Sequence, residues 1–316
     1  MELVSPLSLL HSAAQPLTTT TSPSTTLSPL LHPTHLFHTL STLPPARLVL
    51  IAAFLIHYAH RSVISTLRNW NGRARMAWYV PTFAVGFNIL NGALMGRWLA
   101  GGLAGPRAGE GAEGWGLKGG VAPKVLFGAG MVLWVGGFVT NVRCDEVLVR
   151  IKKDKVKERE RLGRKEEGEG GGGKQNPKER YAIPYGGPFG LYDLVSHPSY
   201  FAEWVEWTGF LLSTLALTPS PFPLLALSSR TSSTSLLSSL FSLGRTPTPS
   251  APSSLLRGIP PILRPMRGWY AQPPALFLWN EIACMLPRAI SGHQWYRRTF
   301  GRDWPAERKI VIPYVF

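Results

Sequence analysis

The chain has 316 residues, 45% of them hydrophobic and only 16% charged, with eleven Trp and a formal net charge of +15. Charged residues make up roughly 25% of soluble domains, so this composition argues against a pair of soluble domains and for a membrane protein with polar inserts. The basic residues lie between and after the apolar runs, where they record topology and phosphate binding rather than nucleic-acid recognition, and two cysteines, Cys144 and Cys284, supply neither a disulfide framework nor a metal site.

Residues 1–45 are rich in Ser, Thr, Pro and Leu without a sustained period, which predicts a disordered N-terminal segment. Glu2 and the lack of a basic start argue against a cleaved signal peptide. A membrane reading then needs segments of about 20 mostly apolar residues. The sequence offers them near 46–66, 76–99, 125–142, 200–217 and 274–290, which predicts an all-α, multi-span transmembrane bundle of about five spans. The domain 46–316 is interrupted by a Gly-rich, charged linker over 152–178 and a low-complexity insertion over 219–272.

The stretch 141–180 holds thirteen Lys and Arg, and the positive-inside rule places it in the cytosol. Arg68, Arg73 and Arg75 belong on the same side, and with five spans the Arg-rich C-terminal segment joins them. A sixth span over 221–243 would reverse that last assignment, and Arg230 with many serines argues against it. On this topology the polar residues within apolar segments gather at the cytosolic face. Buried charge at membrane depth is costly, so such clustering points to one cavity open to the cytosol. Basic and amide groups beside acids suit a ligand bearing phosphates together with hydroxyl or amide donors. Glu203 and Glu206 share one side of a helix at i, i+3 spacing, although a lone pair of this kind also serves as a simple ion-pair partner. No HExxH, CxxC or Ser-His-Asp order supports metal or hydrolase chemistry, so no metal ligand is assigned.

The runs "YAIPYGGPFGLYDLVSHPSYFAEWVEWTGF" (181–210) and "GHQWYRRTFGRDWPAERKIVIPYVF" (292–316) resemble the C-terminal domain of the steroid 5-alpha-reductase family. The upstream "HYAHRS" (57–62), "NGALMGRWL" (91–99) and "NVRCDEVL" (141–148) follow in the family's order. The resemblance implies a membrane oxidoreductase of the endoplasmic reticulum, with active site and C-terminus on the cytosolic side. Such an enzyme uses NADPH to saturate the carbon–carbon double bond of an enone lipid, such as a 3-oxo-4-ene steroid. It also implies roles for individual residues. Tyr58 matches the tyrosine that donates a hydrogen bond to the substrate carbonyl, and Arg61, Arg73, Asn141, Asp145, Tyr181, Ser199, Glu203, Arg288 and Tyr296 match positions lining the cofactor site. Ser199 stands where the family usually has Asn, and Glu206 is expected to support the bundle. The implied partners are a small hydrophobic lipid substrate and the membrane itself, with no nucleic acid and no protein partner inferable.

Two alternatives stay open at this point. Isoprenylcysteine-type membrane methyltransferases, which use S-adenosylmethionine, share the His-Pro-x-Tyr-x-x-Glu element; the Gly-Gly-x-Phe run and the "KIVIPYVF" ending favour the reductase. The family also has further spans before "HYAHR", carrying a glutamate that works with the tyrosine. Residues 1–45 offer only Glu2, which keeps a catalytically impaired relative among the expectations.

Overall fold

The structure is a computed structural model that describes residues 4–13, 37, 40–68, 77–101, 117, 121–166, 181–217 and 269–316. Among the described residues the fold is all-helical, and its only strand-like pairing is an isolated parallel bridge between Val195 and Lys309. The longer helices are α1 (Val4–Ala13), α2 (Pro45–Ala59), α3 (Tyr79–Leu99), α4 (Val121–Glu166), α5 (Pro198–Leu215) and α6 (Pro273–Phe300). Helices α2, α5 and α6 each open on a proline, whose fixed φ and missing N–H suit the first helical position. Beyond Ala59 the α2 chain widens into a π-helical turn, His60–Ile64, before one last α turn, Ser65–Arg68.

Each expected span falls on a helix. Two stretches, Pro45–Arg68 and Val121–Glu158, are long and apolar enough by themselves to cross a bilayer, and only 33% and 28% of their apolar windows are buried. Such low burial separates them from the core helix of a soluble domain, whose apolar face is covered. Helices α3, α5 and α6 fall short of that apolarity. Asn88 and Asn91, Glu203 and Glu206, and Asn280, Glu281 and Arg288 supply the polar content that lowers it.

Two expectations need correction. Val4–Ala13 form a helix where the composition predicts disorder, and Leu9 within it is fully buried. The charged stretch from Lys152 to Glu166, expected as linker, continues α4, which reaches 46 residues. Lys, Arg and Glu are good helix formers, and Lys155 meets Glu158 at 2.8 Å one turn on. Residues 14–36, 167–178 of the expected linker and 219–268 of the expected insertion lie outside the described residues.

The chain divides into two compact units, Met1–Thr66 with Arg73–Met131 and Phe210–Phe277, and Leu67–Gly72 with Val132–Gly209 and Leu278–Phe316. In the first, α1 lies against α3 over two glycines one turn apart. A Cβ at Gly92 would meet the Ser5 carbonyl and one at Gly96 the Leu9 carbonyl, so only Gly permits this approach. The Ser8 hydroxyl donates to the Ile89 carbonyl at 2.7 Å, and the buried Arg47 guanidinium donates to the Leu99 carbonyl at 3.1 Å, closing the C-terminal end of α3.

In the second unit, α4 crosses α5 at Gly137, where a Cβ would run into the Ala202 carbonyl and the Glu206 backbone. The loop before α5 turns through Gly186 and Gly187, both at positive φ, and the Asp193 carboxylate accepts from the Gly186 amide at 2.9 Å. The C-terminal segment then clips onto that loop. Lys309 N–H donates to Leu194, Ser196 N–H to Lys309 and His197 N–H to Ile310, at 2.8–3.1 Å.

Candidate functional site

The candidate residues divide between the two units. Tyr58 and Arg61 belong to the first, and Asn141, Asp145, Tyr181, Ser199, Glu203, Arg288 and Tyr296 to the second, while Arg73 lies outside the described residues.

In the first unit Tyr58 is 5% exposed, its ring 4.6 Å from Phe54 and 5.3 Å from His57 by centroids. The Asn91 amide donates to its phenolic oxygen at 3.1 Å. A phenol that accepts from Asn91 acts toward a further group as a donor, through its own O–H. Asn91 itself was not among the sequence candidates, because an Asn in an apolar helix reads equally well as a packing polar residue. Arg61 sits in the π turn and is half-buried.

In the second unit the Asn141 amide donates to the Glu203 carboxylate at 3.2 Å, and both residues are under 5% exposed. The contact joins α4 to α5 one helical turn beyond Gly137 on α4, with Glu203 between the Ala202 and Glu206 that flank the crossing on α5. The Asn141 Oδ1 is buried and has no hydrogen-bond partner among the described residues, so it presents an acceptor with nothing given to it. Nearby, the Tyr192 phenol donates to the Cys144 carbonyl at 3.1 Å. Burial, with Cys144, Asp145 and Tyr296 as negative neighbours, raises its pKa well beyond the ordinary tyrosine value, so it stays a donor. That neighbourhood ties Asp145 and Tyr296 to one locality.

Tyr296 stacks on Trp304 at 4.9 Å and lies against Trp295, which also meets Tyr181 edge-on at 4.9 Å. Ser199 and Arg288 belong to the same unit with no hydrogen bond or ion pair to this group among the described residues, and Arg288 is exposed.

Arg308, absent from the sequence candidates, is the buried cation of this region at 3% exposure. Its guanidinium lies 4.7 Å over Trp304 and 5.1 Å over Tyr185 and donates from Nη1 to the Pro184 carbonyl at 3.1 Å. Its Nε and Nη2 are buried without a partner among the described residues, leaving two donors suited to an anion. Burial lowers its pKa, while Tyr185, Asp193 and Tyr296 act in the opposite direction. In the run "ERK" it is indistinguishable from a topology-setting basic residue, since no sequence signal separates a buried Arg from an exposed one.

His293 and His197 complete the locality. Ser196 Oγ and His293 Nδ1 lie 2.5 Å apart, and the His197 ring fits against Gly292, where a Cβ would stand 2.5 Å from Nε2. Burial first, and the neighbouring His293 second, push His197 from its ordinary 6.5 down to about 4, against a hydrogen bond to the Ala289 backbone. An unfolded chain therefore takes up this proton between pH 6.5 and about 4 while the folded chain resists it. Stability carried by His197 is full above pH 6.5 and falls as the pH drops toward 4. Thermal unfolding in detergent should show that loss, amounting to a few kcal/mol at most, and His197→Gln should flatten it.

The comparisons with known proteins fall on these same segments. The family model described as 3-oxo-5-alpha-steroid 4-dehydrogenase matches residues 173–237 and 269–316. An uncharacterized protein of Schizosaccharomyces pombe is 28% identical over 275 residues, covering 86% of this chain and 70% of its own length. The steroid 5-alpha-reductase of Solanum lycopersicum is 26% identical over 274 residues, 86% of this chain and 70% of that one. The 3-oxo-5-alpha-steroid 4-dehydrogenase 1 of Rattus norvegicus is 26% identical over 269 residues, 84% of this chain and 67% of that one. The matched residues include Glu203, His293, Tyr296 and Arg308. Over the matched residues, which carry the α5 carboxylates and the C-terminal aromatic cluster, the chain is similar to the steroid 5-alpha-reductases.

Proposed function

We propose that this chain is an NADPH-dependent membrane reductase that saturates the carbon–carbon double bond of an enone lipid, a 3-oxo-4-ene steroid or sterol-like molecule. The observation that carries this reading is the family match over the segment that holds Glu203, Tyr296 and Arg308. In this reading the five apolar helices all cross the membrane of the endoplasmic reticulum, with the basic stretch after Arg143 and the C-terminal segment in the cytosol.

The donor set fits a dinucleotide. The unpartnered Asn141 Oδ1 offers an acceptor for an amide N–H, and the buried Arg308 offers two open donors for phosphate oxygens. Within the second unit Asp145, Glu203 and Ser199 would supply acceptors for hydroxyl or amide groups and Arg288 further positive charge, and the resemblance assigns Arg61 and Arg73 to the same role. Tyr181 and Tyr296 contribute aromatic faces. When bound, the cofactor would supply a hydride to the β-carbon of the enone, and a proton taken up at the α-carbon would complete the saturation. Tyr58 holds the carbonyl oxygen through its O–H, which matters because negative charge grows on that oxygen during the reduction. Asn91, donating to the phenolic oxygen, positions Tyr58 for that bond.

The test is product analysis. Purified full-length chain, supplied with NADPH and a panel of enone lipids, should yield one lipid class heavier by two hydrogens in mass spectrometry. Cofactor binding with no such gain across 4-ene-3-one steroids, polyprenol-type enones and enoyl thioesters would overturn the reading. Glu203→Gln should weaken NADPH binding about tenfold, the order expected for a lost charge-assisted hydrogen bond, read by fluorescence titration of the cofactor.

A further inference from the structure

A groove of about 420 Å³ runs along α4 on the side opposite the Asn141–Glu203 contact. It is lined by Val135, Gly136, Val139, Thr140 and Arg143 of α4 and by Pro188 and Phe189 of the loop before α5. The volume is within the range of small-molecule sites. Helical spacing separates it from the candidate active site: Gly137, Asn141 and Cys144 point toward α5 and Tyr192, whereas residues 135, 136, 139 and 143 occupy the other side of the same helix.

The lining is amphiphilic along the helix axis. Val135 and Val139 are exposed, and a Cβ placed on Gly136 would meet nothing within 4 Å, so the floor is open. Arg143 is exposed and makes no hydrogen bond or ion pair among the described residues. Arg150 and Lys157 repeat on its side at heptad spacing, both exposed, with Asp154 as an acid beside them. Phe189 is 85% exposed and held at φ 55°, a left-handed conformation that is costly for a residue with a Cβ. The glycine-rich turn around it places Phe189 in the lining of the groove, and aromatic rings are favoured at the membrane boundary.

We propose that this face of α4 binds one anionic phospholipid, with an acyl chain along Val135, Gly136 and Val139 and the headgroup phosphate on Arg143. The proposal rests on the membrane crossing of α4 given above and not on the reductase chemistry. An apolar slot that ends at an unpaired guanidinium complements a lipid's own order of tail then charge, and the basic side chains beyond Arg143 favour a headgroup of net negative charge. A free phosphate would use Arg143 and leave the slot unfilled.

The experiment is native mass spectrometry of the full-length chain in detergent, with phosphatidylserine and phosphatidylcholine added at equal concentration and no cofactor or substrate. Wild type should retain phosphatidylserine over phosphatidylcholine by about fivefold for each basic side chain engaged. Arg143→Gln should bring that ratio down about fivefold, Arg143→Lys should largely keep it, and Phe189→Ala should reduce retention of both lipids. Circular dichroism and gel filtration of each variant guard against misfolding. A phosphatidylserine bearing a photoreactive acyl chain should label peptides containing residues 135–139 or 188–189. Equal retention of the two lipids by wild type, an unchanged ratio in Arg143→Gln, labelling elsewhere, or displacement of the lipid by inorganic phosphate would each overturn the proposal. Extraction of the chain from membranes by alkaline carbonate would instead remove the membrane reading on which it rests, so the two failures are distinguishable.

Discussion

Tyr58→Phe is expected to lower enone reduction by about 100-fold or more, the scale seen when a single donor to a developing oxyanion is removed, while leaving NADPH affinity within about twofold. The substitution deletes one oxygen and keeps the ring, so packing against Phe54 and His57 survives. The Asn91 amide loses its acceptor, which costs about 1–3 kcal/mol of stability if no other group replaces it. That cost predicts a small drop in melting temperature alongside the large drop in turnover. Asn91→Leu separates the two contributions, because it removes both donor and orphan while keeping the phenol. Turnover should fall less in Asn91→Leu than in Tyr58→Phe. Steady-state turnover together with cofactor titration measures both, and a Tyr58→Phe enzyme with normal turnover but poor cofactor binding would contradict the assigned role.

Gly137→Leu should be the most damaging single change in the α4–α5 contact. The added side chain starts against the Ala202 carbonyl and the Glu206 backbone, neither of which moves as a flexible side chain would. Overpacking of cores costs about 1–3 kcal/mol where side chains can adjust, and more where backbone must shift. Separation of the helices at this point also pulls Asn141 from Glu203, a carboxylate that is only 3% exposed. The neighbouring Gly136 is the internal control: nothing lies within 4 Å of its added Cβ, and Gly136→Ala should be neutral or stabilise by about 0.5–1 kcal/mol through helix propensity. Thermal unfolding and size-exclusion profiles in detergent would show the contrast. Two adjacent glycines behaving alike would mean that the helices do not approach as closely as described.

The helices were legible because each apolar run is long and bounded by Pro, Gly or charge, and the all-helical class follows from them. The number that cross a membrane was less so, since Asn91, Glu203 and Glu281 lower the apolarity of their helices. Helix α1 was invisible for a different reason. Ten residues are too few for a stable isolated helix, and its support comes from Gly92 and Gly96 some eighty positions away. The resemblance assigns Asn141, Glu203 and Tyr296 to a cofactor site but offers neither Arg308 nor Asn91, whose burial and partners come only from tertiary placement. The continuation of α4 past Lys152 was missed because composition was weighed over helix propensity.

The π turn after Tyr58 has a consequence for how the chain tolerates changes in length. Ser65 N–H reaches back to the His60 carbonyl, so this turn holds one residue beyond the α-helical count. Excising a residue between His60 and Ile64 would let the ladder close as an ordinary helix, with everything upstream undisturbed. Excising one upstream, beside Phe54, would instead swing the phenol by about 100° away from Asn91. Slack and rigidity thus sit side by side on a single helix, with the Tyr58 phenol on the rigid side.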